Sequence, residues 1–91
     1  MIRLHPDLEK ILVVIYKVGG ERHDQTLQIS GPEHIKSLGL DIDSAIRVQK
    51  FRFLEEQGFI TEVGAGEKSV RFYSVRLTQE GRSYCEKYGL V

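Results

Sequence analysis

The side chains that most often carry out catalysis are few and scattered in this sequence. His5, His23 and His34 lie in three separate segments, and no second cysteine or paired acids stand at metal-ligand spacing. An active site needs a nucleophile or an acid–base pair together with a group that orients it. The sequence offers no such set, so we predict a protein that is not an enzyme and that uses no cofactor or metal ion.

Two short motifs could be taken for ligand sites but have a structural explanation. Asp41 and Asp43 could bind a cation, yet both stand where a carboxylate would cap the following helix. The stretch "GAGEK" contains the glycines of a phosphate-binding loop, but it lies between two predicted strands. Phosphate loops require a helix directly after the glycines. Neither motif therefore predicts a ligand.

Cys85 is the single cysteine of the chain. It excludes an internal disulfide and a cysteine-based zinc site, which favours a reducing compartment. A redox-sensing thiol needs exposure and a lowered pKa, and the neighbouring Glu86 does not help to lower it. We therefore expect Cys85 to be a small core residue.

Composition fits one globular domain that spans residues 1–91. An apolar fraction of 41% can build a core, and 29% of the residues are charged. Thirteen basic and thirteen acidic side chains cancel, so a positive surface must come from local arrangement. The longest apolar run, "ILVVIY" from Ile11 to Tyr16, is far shorter than the roughly 20 residues of a membrane span. We expect a cytoplasmic protein without a membrane partner.

Apolar spacing and stop signals predict three elements in the first half of the chain. A helix begins at Pro6 and ends at the glycine pair that starts with Gly19. In "TLQIS", apolar and polar residues alternate as in a short half-buried strand. The capping box "SGPE" then predicts a second helix at 32–38, which ends near Gly39.

The stretch "LEEQGFITEV" connects a helix to a strand without a loop. Asp41 or Asp43 caps this third helix, which is predicted at 43–57, and Gly58 ends it. Since glycine readily adopts a left-handed conformation, the chain turns sharply there and Phe59 folds back over the helix.

The last part of the chain predicts a hairpin and a helix. "FITEV" and "SVRFYSVRL" alternate like strands, and the flexible turn "GAGEK" joins them. Thr78 then caps a final helix that Gly89 ends. The full order is helix, short strand, helix, helix, hairpin and helix, which predicts an α+β fold.

This order and two motifs resemble the winged helix-turn-helix domain of bacterial and archaeal transcription regulators of the MarR and PadR types. The first motif is "LEEQGFI", residues 54–60, and the second is "LTQEG", residues 77–81. Their spacing leaves room for one hairpin, and the similarity covers nearly the whole chain. The resemblance implies an α+β fold in which the hairpin is the wing.

The resemblance also implies a DNA-binding transcription regulator. In that family the third helix lies in the major groove of double-stranded DNA, while the wing reaches the neighbouring backbone or minor groove. The helix at 43–57 would then read bases, and the hairpin around 64–68 would contact phosphates. The implied DNA contacts are Ser44, Arg47, Gln49, Lys50 and Arg52 on the helix and Lys68 and Arg71 on the wing.

Two features of the third helix leave alternatives open. Seven residues before Leu54, where these families usually have an apolar residue, this sequence has Arg47. Ile46 and Phe53 form a second apolar stripe beside that of Phe51, and this stripe is either core or a protein interface. The chain is therefore either a DNA-binding protein or a winged-helix protein–protein interaction module that binds no DNA.

A homodimer is the expected assembly. One small module gives limited affinity and specificity, whereas two copies can read a two-fold symmetric DNA site. The first helix is apolar on more than one side. We therefore expect the dimer contacts to come from the first and last helices.

Overall fold

The protein folds into an α+β arrangement of helices around a small sheet. The structure is a computed structural model that describes residues 3–19, 26–29, 32–62 and 74–91. The described helices are α1 (Pro6–Gly19), α2 (Pro32–Leu38), α3 (Ser44–Glu56) and α4 (Gln79–Lys87). The described strands are β1 (Leu27–Gln28), β2 (Ile60–Glu62) and β3 (Ser74–Leu77). The predicted α+β class is confirmed.

The strands form one antiparallel sheet in the order β1, β3, β2. Leu27 lies opposite Val75, and Ile60 lies opposite Leu77. Val75 and Leu77 are buried, whereas the residues between and before them are partly exposed. This alternation along β3 places one face of the sheet on the core.

The core lies where α1, α3 and α4 meet the sheet. Each helix contributes a stripe of apolar side chains, as an amphipathic helix does when one side faces the interior. The most completely buried side chains are Leu12, Ile15, Leu27, Phe51, Leu54, Ile60, Val75 and Cys85.

The turn from α3 into β2 follows the predicted glycine geometry. Gly58 has φ of +83°. The Phe59 N–H donates to the Leu54 carbonyl at 3.0 Å, and the Gly58 N–H donates to the Glu55 carbonyl at 3.0 Å. These two bonds satisfy carbonyls that the helix end would otherwise leave unpaired, and they turn the chain within one residue.

Thr78 joins the start of α4 to this same turn. Its hydroxyl donates to the Gly58 carbonyl and accepts from the Gly81 N–H at 3.1 Å, and its own N–H donates to the Phe59 carbonyl at 3.0 Å. Gly81 packs so closely that a Cβ there would lie 2.2 Å from the Phe59 carbonyl oxygen. The motifs "LEEQGFI" and "LTQEG" are therefore the two sides of one backbone contact.

Of the two predicted caps for α3, Asp43 is the one observed. Its carboxylate accepts from the Ala45 N–H at 2.9 Å and from the Ile46 N–H at 3.3 Å. The predicted capping residue Ser30 and the turn "GAGEK" lie outside the described residues. None of the described helices combines the length and apolarity needed to cross a bilayer.

Candidate nucleic-acid interface

Helix α3 is anchored on one side and open on the other. Phe51 and Leu54 are fully buried and fix the inner side of the helix against the rest of the core. At 3.6 residues per turn, the residues opposite these anchors point away from the core. The exposed residues on that side are Ala45, Gln49, Arg52 and Glu56, and Ser44 is exposed in the first turn.

We call Gln49 and Arg52 the outer face of α3; Ser44 is exposed at the N-terminal end of the helix, about 140° around the axis from Gln49. The three residues offer a hydroxyl, an amide and a guanidinium, which are groups that hydrogen-bond to base edges or phosphates. Gln49 and Arg52 stand three residues apart, about 4.5 Å along the helix axis. The structure therefore brings two of the five helical candidates, Gln49 and Arg52, onto one exposed side of α3, and exposes Ser44 at the start of the helix.

Arg47 points back toward the turn between α2 and α3. Its guanidinium donates to the Asp41 carbonyl at 2.9 Å and to the Ile42 carbonyl at 3.3 Å. These bonds hold the segment that leads into the helix, which is a structural use of the charged side chain. They also explain why an arginine occupies a position at which an apolar residue was expected.

Lys50 is engaged in ion pairs. Its ammonium lies 2.7 Å from the Asp41 carboxylate and 3.7 Å from that of Asp7, and its side chain is 25% exposed. The hydrogen bond to Asp41 raises the pKa of Lys50, so the lysine remains charged. Because Asp7 belongs to α1, this cluster connects α1 to the start of α3.

The remaining DNA-contact candidates, Lys68 and Arg71, lie outside the described residues. The charge on the outer face therefore comes from Arg52, with Glu56 one turn further along the helix. This surface is polar and only weakly basic. Because the net charge of the chain is zero, the electrostatic potential at this surface depends on its individual charged side chains.

Two apolar residues border the outer face. Ile46 is 43% exposed and Phe53 is 41% exposed, so of the two alternatives for this stripe, the one that places it in the core is wrong. The physical reason is rotational: Phe51 and Leu54 take the inner side of α3, which leaves Ile46 and Phe53 more than a quarter turn away from it.

Phe53 lies in a groove between the start of α1 and α3, which we call the α1–α3 groove. It encloses about 580 Å³ and is lined by Leu4, Leu8, Phe53 and Phe59 together with polar residues. An adjoining hollow of about 280 Å³ extends past Ile46. Sequence periodicity missed this groove because Leu4 precedes the helix and Phe59 follows a turn.

A hydrogen-bond network, the N-terminal clamp, holds the segment that carries Leu4. The Glu9 carboxylate accepts from Arg3 Nε at 2.8 Å and from the Tyr84 hydroxyl at 2.7 Å. The Tyr84 oxygen in turn accepts from the Leu4 N–H at 2.7 Å. The Arg3 guanidinium also lies 4.8 Å from the centre of the Tyr88 ring, within the range of a cation–π contact.

The clamp changes the pKa of its members. The hydrogen bond from Arg3, followed by the bond from Tyr84, lowers the pKa of the Glu9 carboxyl, although burial opposes the shift. Burial and then the bond to Glu9 raise the pKa of the Tyr84 hydroxyl. Glu9 is therefore a buried carboxylate that stays ionised because two donors point at it.

The remaining reactive residues form no further site within the described parts of the chain. Cys85 is fully buried, and this burial raises the pKa of its thiol to about 11, which opposes a thiolate and confirms its predicted place in the core. No group of three histidine, cysteine or acidic residues that could hold a metal ion occurs among the described residues.

Comparison of the chain with protein-family models, with curated proteins and with solved structures gave no significant match.

Proposed function

We propose that this protein is a winged-helix DNA-binding protein that regulates transcription in the cytoplasm. What supports the winged-helix assignment is the order of the elements, together with the position of β3 between β1 and β2. In this proposal α2 and α3 form the helix-turn-helix, and the segment that joins β2 to β3 is the wing. The protein acts by binding, with no catalytic step.

One observation carries the proposal: α3 is fixed firmly by its inner side, while its outer face is open and polar. Phe51 and Leu54 hold the helix in the core, and Ser44, Gln49 and Arg52 are exposed. A rigid helix with projecting donors and acceptors is the element that enters a major groove about 12 Å wide.

The helical candidates have three roles in this proposal. Gln49 and Arg52 read base edges, since glutamine pairs with adenine and arginine with guanine through two hydrogen bonds each. Ser44 stands at the exposed N-terminus of α3, where a hydroxyl suits a phosphate oxygen. Arg47 and Lys50 contribute by holding the helix in place, because local contacts already occupy their charged groups.

Wing residues Lys68 and Arg71 remain proposed phosphate contacts. Two copies of the chain would bind a two-fold symmetric site through a homodimer, as one small module of zero net charge gives limited affinity. Contacts through α1 and α4 remain the proposed dimer interface. The two helices are already adjacent within one chain, where the Tyr16 hydroxyl donates to Glu86 at 2.9 Å.

The test is binding to a random-sequence DNA duplex pool, measured by fluorescence anisotropy from about 50 to 200 mM salt and followed by selection of the bound sequences. Log affinity should fall with log salt concentration at a slope of roughly −0.9 per phosphate contacted. Arg52→Ala should lose about 1–3 kcal/mol of binding free energy and relax the selected sequence at one position.

Lys17→Ala is the matched control, once sedimentation has shown that its oligomeric state equals that of the wild type, since Lys17 is an exposed cation in the last turn of α1, outside α2, α3 and the wing. It should bind the same sequences with unchanged affinity. The double variant Lys68→Ala/Arg71→Ala should weaken binding to all sequences alike and reduce the salt slope. Failure of the folded wild-type protein to bind any duplex at 50 mM salt would refute the proposal.

The α1–α3 groove favours a second candidate function, a winged-helix protein–protein interaction module. Exposed Phe53 and Ile46 beside a groove of about 580 Å³ are unusual on a helix that only reads DNA. Under this alternative, Phe53→Ser would abolish partner binding or self-association, whereas Arg52→Ala would have no effect. Sedimentation of the wild type and both variants, together with the anisotropy measurement, distinguishes the two functions.

A further inference from the structure

The exposed side of α3 continues beyond its polar residues to an apolar one. Ile46 is 43% exposed and stands one turn before Gln49, in the N-terminal half of the helix. Leaving a branched apolar side chain in water has no benefit for folding, because burial of apolar surface is what stabilises the fold. Its position beside two proposed base readers gives it a use.

We propose that Ile46 contacts the 5-methyl group of a thymine, so that the DNA site contains a thymine beside the base pair that Gln49 reads. This inference rests on the proposed DNA binding and adds part of the sequence preference to it. In the major groove thymine alone presents a methyl group, and apolar side chains recognise it by direct contact.

The three residues are spaced much as the base-reading residues of a zinc-finger helix, which contact successive bases. Ile46, Gln49 and Arg52 are each three residues apart, which is about 4.5 Å along the helix axis. Successive base pairs are about 3.4 Å apart along DNA. In their chemistry, Ile46 matches thymine, Gln49 matches adenine and Arg52 matches guanine. We therefore expect these three bases close together within the DNA site.

Phe53 provides an internal comparison. Both side chains, Ile46 and Phe53, are exposed to nearly the same extent and line the hollow of about 280 Å³, but Phe53, seven residues later, also lines the α1–α3 groove with Leu4, which Ile46 does not. Phe53 lies about 10.5 Å further along the helix axis than Ile46, directly after Arg52, at the C-terminal end of the proposed readers. If DNA binding depended on exposed apolar surface in general, both residues would contribute to it. Thymine recognition as proposed depends on Ile46 alone.

The test combines base analogues with protein variants. In the site selected from the random pool, each thymine is replaced in turn by uracil, which removes the methyl group and keeps the hydrogen-bonding groups. For the wild type, affinity should fall about three- to fivefold at one position, the effect expected for one buried methyl group. Ile46→Ala should lose this sensitivity, while Ile46→Val and Phe53→Ala should keep it.

If uracil and thymine are bound equally at every position, if the selected site contains no thymine, or if Ile46→Ala still distinguishes the two bases, the inference is wrong while DNA binding stands. If the folded protein binds no duplex, both the proposed function and the proposed thymine recognition are wrong. Circular dichroism of each variant confirms that the fold is intact.

Discussion

At the scale of single residues, Tyr84 is the side chain that connects the two ends of the described chain. Its hydroxyl donates to the buried carboxylate of Glu9 and accepts from the Leu4 N–H. Tyr84→Phe keeps the ring but leaves both partners with one bond fewer. We expect a loss of about 1–3 kcal/mol in the free energy of unfolding, measured by urea denaturation.

Tyr88→Phe is the matched control for this prediction. The Tyr88 ring packs against Tyr84 with centroids 4.6 Å apart and receives the Arg3 guanidinium on its face, contacts that a phenylalanine preserves. Its stability should change by less than about 0.5 kcal/mol. A loss for Tyr84→Phe no larger than that for Tyr88→Phe would show that the Tyr84 hydroxyl does not hold the clamp.

The ionisation of Glu9 gives a second prediction at this scale. Arg3 and Tyr84 lower its pKa below the ordinary value of 4.5, so its ionised form stabilises the folded state above that pH. This contribution is lost as the pH falls below about 4.5 through the lowered pKa. Glu9→Gln should therefore be less stable than the wild type at pH 7, and the difference should shrink below pH 4.5.

Urea denaturation of the wild type and Glu9→Gln at several pH values checks this. Glu56→Gln is a suitable control because it is the same substitution at an exposed acid in the last turn of α3. A constant difference between wild type and Glu9→Gln down to pH 3 would mean that Glu9 acts through packing rather than through its charge.

At the scale of elements, the junction of α3, β2 and α4 depends on Gly81. A Cβ at this position would lie 2.2 Å from the Phe59 carbonyl oxygen, and the contact is with backbone that cannot rotate away. Gly81→Ala should therefore cost roughly 2–3 kcal/mol in spite of the better helix propensity of alanine.

Gly58→Ala provides the comparison for this prediction. Nothing lies within 4 Å of a Cβ at Gly58, so its cost comes only from the left-handed conformation with φ of +83°. That cost is about 1–2 kcal/mol. Thermal or urea unfolding of both variants tests the order, and a smaller loss for Gly81→Ala would contradict the close approach of α4 to Phe59.

The ends of the elements were predictable because their causes are local. The Asp43 cap and the left-handed turn at Gly58 are decided by bonds that reach no more than five residues along the chain. The Thr78 cap could be predicted for the same reason. Its second role, the bond to Gly58, could not, since it joins residues 20 positions apart.

The candidate site was predictable as a helix but not as a surface. The sequence identified which polar residues α3 carries, whereas their availability depends on partners elsewhere. Lys50 is engaged because Asp7 of α1 and Asp41 of the preceding turn approach it, and Arg47 because two backbone carbonyls do. Helical spacing alone contains no information about these neighbours.

At the scale of the whole molecule, Cys85 offers a probe of cooperative opening. Its thiol is fully buried and has a pKa of about 11, so both access and ionisation protect it in the folded state. We expect a thiol reagent at pH 8 to label the native protein slowly and the urea-unfolded protein at once. Rapid labelling without denaturant would mean that α4 separates from the core on its own.

The N-terminal clamp also affects the rate at which the molecule unfolds. Its bonds to Tyr84 join residues that are 75 and 80 positions apart, so they form only when almost the entire chain has been organised. Contacts that form after the folding transition state slow unfolding without accelerating folding. In stopped-flow experiments, Tyr84→Phe should therefore unfold faster than the wild type while refolding at nearly the same rate. The clamp then sets how long each molecule remains folded, and contributes little to how quickly it folds.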